Sequence, residues 1–296
     1  MAGLRKVRAI IKWFIPDGLL YHYIVPFYKT ITRVSEKKRN QLRFQINIAD
    51  HCNLNCNGCT AFSPLAEEKY LDTTVFERDC ARLSELTDGK IELIDLLGGE
   101  PLLHPEIISI MDIARKYFHS GEINIVTNGI VLGKMPLEFW HICHKNKINI
   151  IISGYPIKLD IGGLKDTAEK NDVQLIMRGN TNNIKIWNKV PLDINGKQNI
   201  VKNFRICYGA NFCVNLENGK LATCPMPFVI KHFNKYFNQN IPVMENDYID
   251  IYKVQTVDEI FDSLRKPIPI CAYCNLRGII YGIKWSVSKK EITEWI

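Results

Sequence analysis

The chain has 296 residues, of which 46% are hydrophobic and 23% charged, a composition that excludes a disordered or fibrous protein. Ten cysteines in a chain this long, with no secretory cleavage site near its start, indicate a reducing cytosolic compartment, where clustered thiols more often bind metal than form disulfides. The net charge of +7 is concentrated in residues 1–43, and the near-neutral remainder gives no reason to expect a nucleic-acid partner.

Residues 1–42 form a basic, amphipathic N-terminal extension in which apolar stretches alternate with Lys and Arg. None of its apolar runs approaches the roughly 20 residues that a membrane span requires. We therefore expect a helical extension that packs on the following domain. The alternative is a peripheral contact of its basic, aromatic face with an anionic surface such as the inner membrane.

From residue 43 onward, short runs rich in Ile and Val alternate with segments of helical pattern. Thr74 to Glu77 has the form of a capping box, and Pro105 suits the first position of a helix. The alternation predicts an α/β fold with a parallel sheet, and too few units are present for a closed eight-fold barrel. The predicted strands are 43–48, 91–97, 122–127, 148–153 and 172–177, and the predicted helices are 75–87, 105–118, 136–146 and 162–171.

After residue 180 the alternation gives way to polar loops and a small cysteine-bearing region. Strands 212–216 and 220–224 are predicted around an Asn-Gly turn, and a helix is predicted over 257–266. The predicted domains are the extension (1–42), a partial barrel (43–200) and the cysteine-bearing region (201–296).

Three cysteines, Cys52, Cys56 and Cys59, follow the first predicted strand within eight residues. They lie at the carboxyl end of that strand, where parallel α/β folds bind their ligands. Three thiolates hold three irons of a 4Fe-4S cluster and leave the fourth iron open for chelation by a cofactor or substrate. The alternatives are thiols buried in the core, or a zinc site that Cys56 and Cys59 form with Cys271 and Cys274.

The strand at 91–97 runs directly into Gly98-Gly99-Glu100-Pro101. Glycines permit positive φ or a close backbone approach to a ligand, and the Glu100 carboxylate could receive an ammonium group. The alternative is an ordinary strand-to-helix turn.

Together, the cysteine triad and this turn resemble the signatures of the radical S-adenosylmethionine (AdoMet) superfamily. The resemblance covers roughly residues 43–180 and implies a partial (β/α)6 TIM-like barrel. It implies that the triad ligates a site-differentiated 4Fe-4S cluster and that Gly98, Gly99, Glu100 and Pro101 bind the methionyl amine of AdoMet. Gly58 stands where the family usually has an aromatic residue, so adenine would lose a stacking surface.

The same resemblance suggests further cofactor contacts at the ends of the later strands. Asn128 follows the third strand, Ser153 the fourth and Arg178 the fifth. Simple loop polarity is the alternative for the first two, and Arg178 could instead meet a substrate anion.

Five more cysteines lie in the region after residue 200, where zinc is an alternative for the group taken alone. Their spacing resembles the twitch domain, a shortened SPASM domain. It implies that Cys207, Cys224, Cys271 and Cys274 ligate one auxiliary 4Fe-4S cluster, with Cys213 as a substitute ligand. Cys80 and Cys143 sit among apolar positions of predicted helices and are expected in the core.

The resemblance implies an oxidoreductase-type enzyme that cleaves AdoMet reductively to a 5′-deoxyadenosyl radical. We expect the radical to abstract hydrogen from a small polar, carbohydrate-like substrate in a net oxidation, with a flavodoxin or ferredoxin as reductant. A peptide-modifying maturase is one alternative, and a non-enzymatic zinc-binding interaction protein is another. No side chain is placed well enough in the sequence to name a general base.

Overall fold

The computed structural model describes residues 41–178 and 186–296, without the side chains of residues 186 and 187. The predicted N-terminal extension and its membrane contact therefore lie outside the described residues, apart from positions 41 and 42. The strands are β1 (Leu42–Ala49), β2 (Ile91–Gly98), β3 (Glu122–Thr127), β4 (Ile148–Ser153), β5 (Leu175–Arg178), β6 (Ile186–Lys189), β7 (Asn215–Glu217), β8 (Lys220–Ala222), β9 (Ile249–Asp250) and β10 (Ile280–Lys284). The α-helices are α1 (Thr73–Thr87), α2 (Ile107–Tyr117), α3 (Leu137–Lys145), α4 (Ile161–Lys170), α5 (Ile200–Ile206), α6 (Met226–Phe237) and α7 (Val257–Leu264).

One mostly parallel sheet organises this part of the chain. Its strand order is β5-β4-β3-β2-β1-β7-β8-β9, and β1 pairs in parallel with β2 on one side and β7 on the other. The pairs β2–β3, β3–β4 and β4–β5 are also parallel, whereas β8 and β9 complete the edge in antiparallel fashion. The predicted α/β fold class is thus confirmed. The order is open, which is consistent with a partial barrel.

The larger apolar core lies between the sheet and the helices that follow its strands. Ile94, Ile125 and Ile150 from neighbouring strands are completely buried, as expected for a parallel sheet covered by helices. Cys80 of α1 and Cys143 of α3 are also completely buried in this core, which confirms their prediction as core thiols.

Two predicted helix starts are wrong. Helix α1 is capped by Asp72, whose carboxylate accepts from the backbone N–H groups of Thr74 and Val75, so no capping box forms at Thr74. Helix α2 begins at Ile107, because Nδ1 of His104 accepts the Glu106 N–H at 3.0 Å and holds the preceding residues in a turn. Strand β5 also begins later than predicted, at residue 175.

The predicted Asn-Gly hairpin is confirmed, although its strands are shorter than expected. Asn218 and Gly219 have φ values of 50° and 73°, the left-handed conformation that a tight hairpin turn requires. The buried carboxylate of Asp79 in α1 accepts the Gly219 N–H and, at 2.7 Å, the Tyr252 hydroxyl. The hairpin therefore extends the main sheet and is tied to its first helix.

A second, smaller apolar core joins the chain after residue 190 to the loop that follows β1. Its buried members include Phe62, Phe204, Phe233, Cys271 and Trp295. Over the described ranges, no helix combines the length and the apolar character needed to cross a membrane.

Candidate functional site

The cysteine triad occupies one compact loop directly after β1. Cys52 Sγ accepts the Leu54 N–H at 3.3 Å, and the Cys59 N–H donates to the Cys56 carbonyl at 3.2 Å. Burial is the main cause that raises the pKa of the Cys52 thiol to about 12, and the charges of Glu100, Cys59 and Cys56 contribute to this rise. The three thiols therefore lie within one another's electrostatic field, at the carboxyl end of the sheet.

The spacing of these thiols bears on the kind of metal centre they fit. A single tetrahedral zinc would bring its thiolate sulfurs to about 3.8 Å from one another. Over the described ranges, no three side chains of His, Cys, Asp or Glu converge closely enough to hold one metal ion. In a 4Fe-4S cluster each thiolate would instead bind a different iron. Both the cluster ligation and the zinc alternative stay predictions at this point.

The turn Gly98–Pro101 packs on the backbone that leads into the cysteine loop. Gly99 N–H donates to the Ala49 carbonyl at 2.7 Å, and Glu100 N–H donates to the His51 carbonyl at 3.1 Å. Gly98 has a φ of 144°, and a Cβ on Gly99 would overlap the His51 carbonyl. The two glycines are thus required to join the turn to the cysteine loop, whatever contact they also make with a cofactor.

The Glu100 carboxylate links the ends of β2 and β3. It is completely buried and accepts from the Thr127 hydroxyl at 2.6 Å, the Asn128 N–H at 2.8 Å and the Leu102 N–H at 3.1 Å. Burial raises its pKa, and these hydrogen bonds offset the rise only in part. Its predicted contact with an ammonium group stays a prediction, since its oxygens here bind donors of the chain itself.

The other predicted cofactor residues lie along the same edge of the sheet. The Asn128 side-chain amide donates to Asn53 Oδ1 at 2.7 Å and lies 3.6 Å from Cys52 Sγ. Ser153 and Arg178 end β4 and β5 and are paired in register; Ser153 is half-buried and Arg178 exposed. Asn128 thus contacts the cysteine loop, and the roles of Ser153 and Arg178 stay predictions.

A cavity of about 360 Å³ opens beside the triad. Tyr155, just beyond β4, lines it, and burial raises the pKa of this tyrosine, as do the charges of the three thiols. The sequence motifs did not identify Tyr155. Its position just after Ser153-Gly154, at the end of a strand, could have indicated a site residue. The cavity is lined by Cys56, Gly58, Cys59, Thr60, Tyr155, Asn188 and Tyr208.

Two tryptophans far along the chain also contact the cysteine loop. The indole N–H of Trp285 donates to Cys56 Sγ at 3.2 Å, and that of Trp295 donates to the Cys59 carbonyl at 2.9 Å. Trp285 is 229 residues from Cys56 in sequence, and Trp295 is 236 residues from Cys59. No local motif identifies either tryptophan as part of the site.

The second cysteine group is assembled from separate elements. Cys207 caps the end of α5, Cys224 follows β8, and Cys271 and Cys274 lie in and just after a short 3-10 helix. Burial raises the pKa of Cys271 to about 11 and also that of Cys224, which the charges of Cys207, Cys274 and Cys271 raise further. The four predicted ligands thus lie within one another's electrostatic field.

One buried asparagine holds part of this group together. Asn203 in α5 donates its side-chain amide to the Cys271 carbonyl at 2.8 Å and to the Cys274 carbonyl at 2.5 Å. Cys213 lies in the turn before β7, and its N–H donates to the Gly209 carbonyl at 2.9 Å. Its role as a substitute ligand stays a prediction.

The site combines a three-cysteine loop at the carboxyl edge of a parallel α/β sheet with a glycine turn that packs against it. This combination defines a class of protein that binds an iron–sulfur cluster. Residues 46–171 match the family model of the Radical SAM superfamily. This part of the chain is therefore a radical SAM domain, and the proteins of that superfamily are enzymes. The family implies a 4Fe-4S cluster and AdoMet at this site.

Curated relatives match the same part of the chain. Molybdenum cofactor biosynthesis protein 1 of Bos taurus is 32% identical over 122 residues, which are 40% of this chain and 19% of the relative. GTP 3′,8-cyclase of Trichodesmium erythraeum is 27% identical over 153 residues, 49% of this chain and 42% of the relative. The chain thus spans less than half the length of these two relatives.

Solved structures are similar at lower identity. BtrN in complex with AdoMet and 2-DOIA is 17% identical with a TM-score of 0.47, covering 79% of this chain and 92% of that one. Native anSMEcpe with bound AdoMet is 20% identical with a TM-score of 0.38, covering 46% of this chain and 42% of that one.

Proposed function

We propose that the chain is a radical SAM enzyme that cleaves AdoMet reductively to start hydrogen abstraction from a small polar substrate. The observation that carries the proposal is the packing of the Cys52–Cys59 loop against the Gly98–Pro101 turn and Asn128. This packing supports the proposal, because it brings the proposed cluster ligands and the proposed cofactor turn to one edge of the sheet.

The residues present fit the implied cluster and cofactor. Cys52, Cys56 and Cys59 would hold three irons, and the open iron with bound AdoMet would supply a 5′-deoxyadenosyl radical on one-electron reduction. The chain's own part is to position the bound groups and to exclude water from them. Cys56 is only 5% exposed, and Tyr155 and Trp285 cover its side of the loop. Asn128 holds the loop near Cys52 through Asn53.

We further propose that Cys207, Cys224, Cys271 and Cys274 ligate an auxiliary 4Fe-4S cluster in a twitch-like region. Support comes from the mutual electrostatic influence of these thiols and from Asn203, whose side chain holds the Cys271 and Cys274 carbonyls together. A fully ligated cluster cannot chelate substrate, so its role would be to accept the electron from a substrate radical, giving a net oxidation.

The cavity beside the triad supports a small, polar, carbohydrate-like substrate. Apart from the cluster cysteines and Gly58, its lining consists of Thr60, Tyr155, Asn188 and Tyr208, which all offer hydrogen-bonding groups. GTP is the first named compound to test, because several relatives are GTP 3′,8-cyclases. Those matches cover half of this chain or less, so the substrate does not follow from them.

A cytoplasmic location and a flavodoxin or ferredoxin as electron donor complete the proposal. Both agree with the chemistry, since a low-potential cluster needs a reducing compartment and a one-electron donor.

The test is to purify the protein without oxygen, reconstitute it, count iron and sulfide, and measure 5′-deoxyadenosine after adding AdoMet and reductant. We expect about eight irons per chain from two 4Fe-4S clusters. Cys56→Ala should abolish AdoMet cleavage and leave about four irons. The matched double variant Cys271→Ala with Cys274→Ala should also leave about four irons but retain cleavage in the absence of substrate.

These outcomes separate the two parts of the proposal. Zinc in place of iron, with no cleavage after reconstitution, would overturn the radical SAM assignment. Four irons in the wild type, unchanged in the Cys271 and Cys274 double variant, would overturn only the auxiliary cluster.

A further inference from the structure

Residues 285–296, here called the strap, run across the cysteine loop. The Asn57 N–H donates to the Ser286 carbonyl at 2.9 Å, and the Ser288 N–H donates to the Asn55 carbonyl at 2.9 Å. These two bonds form an antiparallel bridge between Cys56 and Val287. The strap therefore pairs with the backbone of the middle cysteine of the triad as a short strand would.

Trp295 anchors the far end of the strap. It is 3% exposed, and its ring packs at 6.1 Å from the ring of Phe62 and 5.8 Å from that of Phe237. Its N–H donates to the Cys59 carbonyl, and its own carbonyl accepts from the Leu192 N–H at 2.7 Å. The end of the strap is thus part of the second apolar core, and it is fixed to the last cysteine of the triad.

Glu294 fixes the shape of the strap between its two tryptophans. Its buried carboxylate accepts from the Ser288 hydroxyl at 2.6 Å, the Lys289 N–H at 2.6 Å and the Glu291 N–H at 3.3 Å. A carboxylate that closes a loop with three such bonds holds that loop in one conformation. Trp285 and Trp295 are therefore held in defined positions relative to the cysteine loop.

The strap also accounts for Gly58, which departs from the family pattern. Gly58 has a φ of 63°, and a Cβ there would lie 3.1 Å from the Glu294 carbonyl oxygen. The glycine permits the left-handed turn and the close passage of the strap. The space beside position 58 is thus occupied by the strap's backbone.

Trp285 makes the contact with the largest chemical consequence. Its N–H donates to the sulfur of Cys56, and its ring stands edge-on to Tyr155 with centroids 6.4 Å apart. A hydrogen bond to a ligand sulfur stabilises the more negative, reduced cluster, and the reduction potential of an iron–sulfur cluster depends on such bonds.

We propose that the strap is part of the cluster site and that Trp285 is a positioning residue that raises the reduction potential of the cluster through Cys56. The inference rests on the proposed function, because it requires a cluster on the triad. Removing the indole N–H should make the cluster harder to reduce without removing a ligand.

The test compares Trp285→Phe, which keeps an aromatic ring but loses the N–H, with the wild-type full chain. The reduced cluster is titrated by electron paramagnetic resonance, following the signal that added AdoMet changes. At a fixed potential, the ratio of reduced to oxidised cluster should fall about three- to tenfold in the variant. A tenfold change corresponds to about 59 mV for a one-electron couple.

The matched control is Trp140→Phe, which removes an indole N–H from a buried tryptophan of α3 in the larger apolar core, outside the strap and the cysteine loop. Its cluster potential should equal that of the wild type. Equal potentials in wild type and Trp285→Phe would overturn the proposal, as would the same shift in both variants, which would indicate general loosening of the protein.

Further outcomes decide the remaining cases. If Trp285→Phe does not retain iron, Trp285→His restores a ring N–H: a wild-type potential in that variant supports the proposal, and loss of its iron overturns it. A wild type that holds no cluster on the triad would overturn the proposed function and this role with it. A wild type with an intact cluster and an unshifted variant would overturn this role alone.

Discussion

The two cysteine groups of this protein reach their positions by different routes. Cys52, Cys56 and Cys59 lie within eight consecutive residues, on one loop at the end of one strand. The second group spans residues 207–274 and draws its thiols from a helix end, a strand end and a short 3-10 helix. The first group is therefore largely defined by local sequence, and the second exists only when distant elements pack.

The groups are also braced differently. Backbone hydrogen bonds from the Gly98–Pro101 turn hold the entry to the first loop, and the strap closes its other side. In the second group, the side chain of Asn203 bridges two cysteine carbonyls, and residues 191–198 donate to or accept from the same segment. A change at one brace should therefore disturb one group and spare the other.

The largest expected effect is that of Gly99→Ala. Because a Cβ at this position would overlap the His51 carbonyl, the turn must separate from the cysteine loop. We expect the free energy of unfolding to fall by about 3 kcal/mol, together with loss of the first cluster. Urea denaturation measures the free energy of unfolding, and iron analysis measures the loss of the cluster.

The control is Gly162→Ala in the first turn of α4, where the added methyl group meets only the Asp160 carboxylate at an ordinary 3.7 Å. This variant should be as stable as the wild type or more stable by up to about 1 kcal/mol. If Gly99→Ala behaved like this control, the turn and the cysteine loop would not be in contact.

A smaller and more selective effect is expected for Asn203→Ala. It removes the side-chain donor of the Cys271 and Cys274 carbonyls, which keep only the backbone N–H groups of Cys274 and Leu276 as donors. We therefore expect a loss of about 2 kcal/mol in stability and loss of the second cluster. The first group should keep its iron. Iron per chain and unfolding by urea are the measurements.

Asn234→Ala is the matched control for this variant. Asn234 also makes two side-chain hydrogen bonds to backbone, with Ile241 at 2.8 and 3.1 Å, but it touches neither cysteine group. A similar loss of stability with unchanged iron is expected. Equal loss of iron in both variants would show that the second group responds to stability in general and not to Asn203.

The smallest effect concerns His104, which follows the Gly98–Pro101 turn. Burial lowers its pKa, against the opposing effect of its bond to the Leu71 carbonyl at 2.9 Å. The neutral ring contributes stability that is fully present above the ordinary pKa of about 6.5 and is lost as the pH falls through the lowered value. The free energy of unfolding should therefore decline below about pH 6.5, by on the order of 1 kcal/mol or less.

His104→Gln removes this titration and should flatten the corresponding part of the pH profile. Urea denaturation at a series of pH values between about 5 and 8 compares the two proteins. An identical decline in both would assign the pH dependence to other groups.

Local sequence determined much of the fold and the first cysteine group. The five parallel strands, most helix positions and the Asn-Gly turn followed from side-chain periodicity and from backbone conformations that neighbouring residues impose. The helix starts at residues 73 and 107 were not predicted correctly from the sequence. The side chains of Asp72 and His104 accept backbone N–H groups at these starts, in place of the predicted arrangements.

Tertiary structure alone decided how the distant parts meet. It brought Cys207, Cys224, Cys271 and Cys274 together, buried the Glu100 carboxylate between β2 and β3, and placed Trp285 on Cys56. The physical reason is that such contacts join residues distant in sequence, and they form only after the sheet and the second core have packed. Glu100 and Thr127 are separated by 27 positions, and Cys56 and Trp285 by 229. Periodicity describes neighbours along the chain, so it carries no information about such partners. The grouping of the four cysteines was suggested only by the resemblance of their spacing to the twitch domain.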